Sequence, residues 1–159
     1  MLLWQAIGRS IAARPEAPVL FGAVSISADY SEASRRLIVE FLRERRFRAD
    51  LAHWVAARRP FRSRLTGAGE LRAMAACLTE VEDLSARIID IEEHSGLPVL
   101  LRHYLRLGGR VAAFYVDRKF SNTLDGLLIL DLREAPPKLL AKYMGPQSFP
   151  KLGERAQCG

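Results

Sequence analysis

The sequence predicts a mixed fold, α/β or α+β, and three observations carry that expectation. Helix-like and strand-like patterns alternate through the first third of the chain. Between Leu97 and Leu132 the apolar period switches from about 3.6 to about 2, then to a continuous apolar run, which reads as helix, strand, strand. The whole chain offers about three strands against five or six helices. At 159 residues, 49% apolar and 26% charged, it fits one domain with a sizeable core.

The elements follow in order. Leu3, Ile7 and Ile11 line one helical face with Trp4 beside them, and Pro15 ends that helix. Val19 to Ser27 is apolar and then small, as in a strand. Asp29 or Ser31 caps the next helix, with Glu32 three residues after Asp29 as in a capping box. Ala33, Leu37, Ile38, Phe41 and Leu42 give its apolar stripe. Ala49 to Ala57 reads as a short helix, Arg58 to Gly67 as loop, and Glu70 to Leu78 as helix again. Leu78, Val81, Leu84, Ile88 and Ile91 are spaced by three and four, predicting a longer helix that stops before Gly96 and Pro98. Leu100, Leu101, Tyr104 and Leu105 mark a short helix stopped by Gly108-Gly109. Val111 to Val116 and Leu124 to Leu132 are the last two strands. Pro136 and Pro137 suit the first turn of a final helix, which Gly145 stops. The tail from Pro146 is expected to be loose.

Several function classes lose support at this stage. No run approaches the ~20 apolar residues of a membrane span. Arg9 interrupts the first apolar stretch, and no charged segment precedes it, so no signal peptide is expected. Cys77 and Cys158 form neither a disulfide framework nor a metal-ligand spacing. The expected location is the cytoplasm, with peripheral contact at the inner face of the membrane.

The net charge of +6 is concentrated. Between Arg35 and Arg64, ten arginines against Glu40, Glu44 and Asp50 leave that window at about +7. Such a surface attracts an acidic partner: an acyl carrier protein, an anionic membrane or a nucleic acid. The competing reading is a solvated arginine-rich face. Arg45, Arg46, Arg58 and Arg59 are the candidate contacts. Phe47, Trp54 and Phe61 interleave with them and can stack bases, but no nucleic-acid-binding motif accompanies them. A nucleic-acid or non-catalytic interaction domain is therefore the second reading, with Trp54 expected to matter mainly for stability.

Polar residues gather where the last two strands meet: Asp117, Arg118, Lys119, Asn122 and Asp125. Their bland reading is hairpin chemistry. His103, on a helix beside Arg102 and Tyr104, is the histidine best placed as a base, although a lone helical histidine is commonly structural. There is no Gly-x-Ser-x-Gly elbow and no His-x-x-x-x-Asp box.

LPVLLRHYLRLGGRVAAFYVDRKFSNTLDGLLILDL, Leu97 to Leu132, resembles the C-terminal part of the bacterial N-acyltransferases of ornithine-lipid synthesis. These are GNAT-type enzymes, some with hemolysin-like labels, related in fold to acyl-homoserine-lactone synthases. LFGAVSISADYSEASRRLIVEFL (Leu20 to Leu42), LLWQAIGRSIAARP (Leu2 to Pro15) and KYMG (Lys142 to Gly145) agree in order. The resemblance covers the chain except Phe47 to Leu78 and the tail.

The resemblance implies that residues 1–145 are the C-terminal half of a GNAT-like domain. The preceding half would supply most of the sheet and the loop for the donor's phosphates. It implies transfer of a 3-hydroxyacyl group to the amine of ornithine or a similar amino acid, by direct attack. The donor would be acyl carrier protein, through its phosphopantetheine thioester, or acyl-CoA. No cofactor is expected to be bound by this chain alone, and the chain alone is expected to lack acyltransferase activity. The donor would enter beside Val19 to Ser27, so Ser25 and Ser27 would line the acceptor side. Tyr104, Asp117 and Asp125 would contact the acceptor, with His103 as the base. With its neighbour missing, the Val19–Ile26 edge is expected to pair with a second copy as a homodimer.

Overall fold

A computed structural model describes residues 2–13, 18–62 and 68–144. Pro15, Arg64, Gly145, the tail with Cys158, and the side chains of Leu3 and Trp4 lie outside the described residues. The fold is mixed α+β. Seven helices accompany one three-stranded antiparallel sheet among the described residues.

The strands are β1 (Val19–Ile26), β2 (Arg110–Asp117) and β3 (Thr123–Asp131). Their order is β1-β3-β2, so the last strand inserts between the other two. Helices α1 (Leu2–Ala13) and α7 (Pro137–Met144) bracket the chain. Between β1 and β2 run α2 (Glu32–Arg45), α3 (Ala49–Ala52), α4 (Ala68–Cys77), α5 (Val81–Glu92) and α6 (Val99–Arg106).

Side chains alternate across a strand, so each face of the sheet has its own set. One face carries Val24, Ile26, Leu124, Leu128 and Leu130, all buried. Leu37, Phe41, Leu84, Ile88, Leu101 and Leu105 from α2, α5 and α6 complete that core. This is the helix face. The opposite face carries Ser25, Ala23 and Phe21 of β1, which lie opposite Asp125, Leu127 and Ile129 of β3. On the β1 side of this face Phe21 is 79% exposed.

The two sheet edges differ. Along β2, the Val111 N–H donates to the Arg46 carbonyl (2.7 Å) and the Arg48 N–H to the Val111 carbonyl (2.9 Å). Further on, the Val116 N–H donates to the Arg59 carbonyl at 3.0 Å. The chain between these points is much longer than the Val111–Val116 stretch it follows. It must bow outward, and it arches over the open face. The outer edge of β1 pairs with no described strand.

Of the two caps expected for α2, Ser31 is the one used: its side chain accepts from the Ser34 N–H at 3.1 Å, while the Asp29 carboxylate accepts from the Ser27 hydroxyl. Two local expectations change. The helix expected from Leu78 begins at Val81, because Glu80 and Asp83 form a reciprocal capping box that restarts the helix. The helix expected over Ala49–Ala57 ends at Ala52, where the chain turns toward its pairing with β2.

Candidate functional site

Hairpin geometry builds the most distinctive group of polar side chains. β2 and β3 close at Asp117 opposite Thr123. The connecting residues Ser121 and Asn122 adopt left-handed backbone angles, φ 51° and 57°. That closure fixes Tyr115 opposite Asp125, and β1 pairing sets Ser25 on the other side of it. Residues directly opposite share a face. Ser25, Asp125 and Tyr115 therefore form one row across all three strands on the open face.

Asp125 falls within the strand expected over Leu124 to Leu132, and it lies inside β3, 5% exposed, rather than in the hairpin turn of its competing reading. The reason is the strand start: Thr123 already pairs with Asp117, so Asp125 falls on the second rung. The Tyr115 hydroxyl donates to the Asp125 carboxylate, and this bond, with burial adding to it, raises the tyrosine pKa. The Oδ1 of Asp125 is buried without a hydrogen-bond partner. So is the Oγ1 of Thr123, two residues earlier on the same face. Each such group costs about 1–3 kcal/mol when unsatisfied.

The other expected site residues lie in several places. Ser25 is exposed and joins the row. Ser27 lies past the end of β1, where its hydroxyl donates to Asp29 Oδ2 at 2.7 Å and stabilises a turn. Asp117 accepts the Lys119 N–H at 2.8 Å, which is hairpin chemistry. His103 and Tyr104 belong to α6, on the helix face. Tyr104 lines a cavity of about 150 Å³ with Ile7, Leu20 and Leu128. His103 Nδ1 lies 2.6 Å from the Tyr143 hydroxyl of α7. Burial first, then Arg102, Arg106 and Lys142, lowers the His103 pKa. The structure does not bring His103 to the Ser25–Asp125–Tyr115 row.

Sequence reasoning missed Tyr115 and Thr123. Tyr115 sits in an apolar run and Thr123 beside a turn, so neither looked chemical. The register of the hairpin is the signal that finds both.

The arginine window divides as well. Arg36 pairs with the buried Glu40 at 2.9 Å. Arg43 lies 3.4 Å from the same carboxylate and 5.7 Å from the Phe114 ring centre. Arg45 donates to the Ala76 and Leu78 carbonyls, closing the end of α4. Arg48 pairs with Asp50 through two bonds. Arg46 is half-buried and its carbonyl holds β2. Arg58, Arg59 and Arg62 are exposed and make no ion pair with a described residue.

Trp54 is 79% exposed, with its ring 4.9 Å from that of His53. The expectation that it mainly serves stability is corrected, because a side chain with so little burial has few contacts to lose. Trp54→Ala should shift the urea unfolding midpoint by no more than about 0.5 kcal/mol equivalent. A loss of several kcal/mol would show that the ring packs in solution.

The arch from Val55 to Arg58 roofs a cavity of about 330 Å³. Ala113, Tyr115 and Leu127 of the open face form its floor. Among the described residues, no helix is long and apolar enough to cross a membrane, and no three His, Cys, Asp or Glu side chains cluster as metal ligands would. No family model, curated protein or solved structure matches this chain.

Proposed function

We propose that this chain forms the acceptor side of a GNAT-like N-acyltransferase that acylates a small diamino acid of the ornithine class. The donor is a 3-hydroxyacyl thioester of acyl carrier protein or coenzyme A. The observation that carries the reading is the buried, unpartnered Asp125 Oδ1 in the row between Ser25 and Tyr115. A carboxylate lacking a donor suits a cationic amine. Thr123 Oγ1 offers a second acceptor on the same face.

Asp125 holds the side-chain ammonium, and the α-amine then points toward β1. Neighbouring strands lie about 4.8 Å apart, a span that a three-methylene diamino acid can bridge. The free outer edge of β1 coincides with the place the family resemblance gives to the donor thioester. There the deprotonated α-amine attacks the thioester carbonyl. The C–N bond forms, the C–S bond breaks, and the amine proton ends on the departing thiol. His103, on the other face, has no part in this scheme.

Calorimetric titration with ornithine and with norvaline tests the reading. Norvaline keeps the α-amine and lacks the side-chain ammonium. Ornithine should saturate and norvaline should bind roughly tenfold or more weakly. Equal binding of the two, or no saturation by ornithine, removes the amine site.

A second reading, nucleic-acid binding, is favoured by the exposure of Trp54, Arg58 and Arg59 on one segment of the chain. The double change Arg58→Glu and Arg59→Glu should weaken binding to acyl carrier protein in a salt-dependent manner. Tight single-stranded DNA binding that disappears in folded Trp54→Ala would favour this second reading instead.

A further inference from the structure

The arched segment and the sheet make a second feature, which borders the amine row at Tyr115. Val55, Ala56 and Ala57 roof the 330 Å³ cavity, and Ala113, Tyr115 and Leu127 floor it. Apart from Tyr115, whose hydroxyl is engaged by Asp125, these are aliphatic side chains without polar atoms. The volume sits at the small end of the ~300–1,000 Å³ usual for ligand pockets. Its charged lining residue is Arg58, which is exposed and makes no ion pair with a described residue. Arg59 and Arg62 follow on the same segment, both exposed.

An apolar chamber with a cationic rim has a chemical complement. The occupant needs one unbranched hydrocarbon chain, because the floor is a single pair of strands under a short roof. It also needs an anionic head for the guanidinium at the rim. A neutral hydrocarbon would leave Arg58 unused, and a polar metabolite would waste the lining. The roof is tied to β2 at both ends through the Arg46 and Arg59 carbonyls.

We infer that this cavity binds a single long-chain carboxylate, with the alkyl chain between the arch and β2–β3 and the carboxylate on Arg58. Binding is read by displacement of a fluorescent fatty acid from the full chain. Across a series of saturated fatty acids, affinity should rise about fourfold per methylene and then level off once the cavity is full. Arg58→Ala should weaken fatty-acid binding about tenfold and leave the matching fatty alcohol unchanged. Ala113→Trp fills the floor and should abolish binding of both. Ala57→Phe, on the roof, does the same if Ala113→Trp fails to fold. Binding unchanged in a folded cavity-filling variant would overturn the assignment, as would affinity that climbs with chain length without a plateau. Equal losses for acid and alcohol in Arg58→Ala would remove the carboxylate contact.

Discussion

Gly109→Ala should destabilise the protein by roughly 3 kcal/mol, while Gly22→Ala leaves stability unchanged or slightly raised. A Cβ at Gly109 would stand 2.7 Å from the Tyr104 carbonyl oxygen and 3.1 Å from its carbon. Both are backbone atoms, so no rotamer change relieves the clash. The Gly109 N–H already donates to that same oxygen at 2.9 Å. Moving the strand away therefore breaks the bond that ends α6 and starts β2. Gly108, with φ at +90°, takes the left-handed turn just before it. A methyl added at Gly22 would meet no atom within 4 Å, and the backbone there is ordinary. Urea unfolding of the two variants is the measurement. Equal midpoints would mean that the α6–β2 junction has slack that these distances deny.

That junction was readable in the sequence, and the reason is local. A helix period stopped by two glycines and followed by an apolar run needs no distant partner to be recognised. The same holds for the cap at Ser31 and the prolines that open α7. Legibility ends where the chain answers to distant pairings. Nothing in Phe47–Pro60 announces that it follows the edge of β2, because its bonds go to Val111 and Val116. The arch, the cavity and the exposure of Trp54 all come from that path. Asp125 shows the limit at the scale of one residue. Asn122-Thr123-Leu124-Asp125-Gly126 has turn composition, and composition cannot place the first rung of the ladder. Once Asp117 pairs with Thr123, Asp125 must be the second rung, with Tyr115 and Ser25 beside it. The arginine window was legible as composition only. Arg36, Arg43, Arg45 and Arg48 meet Glu40, Asp50 or backbone carbonyls, and Arg58, Arg59 and Arg62 are left facing solvent.

Asp125→Asn should weaken ornithine binding about a hundredfold, in line with about 2–3 kcal/mol for a hydrogen-bonded charged contact. Folding should survive the change. The amide fills the same space, and the wild-type carboxylate already leaves Oδ1 without a partner, so little native bonding is lost. A second readout separates loss of the contact from general damage. The bond to Asp125 keeps the proton on Tyr115 and raises its pKa above the ordinary 10.0. A raised folded-state value contributes stability that is fully present below the ordinary value. That stability is lost as pH climbs through the folded value. Wild-type stability should therefore fall in alkali, above about pH 10, more steeply than that of Asp125→Asn. The wild-type-minus-variant phenolate absorbance should show one tyrosine titrating earlier in the variant, and Tyr115→Phe should remove that difference. If Asp125→Asn titrates as expected yet binds ornithine like wild type, the Tyr115–Asp125 bond is real and the amine lies elsewhere. If binding falls a hundredfold with no alkaline difference, the carboxylate meets the amine without holding the phenol. Loss of both together is the expected result, since one carboxylate faces Tyr115 with one oxygen and leaves the other for the ligand.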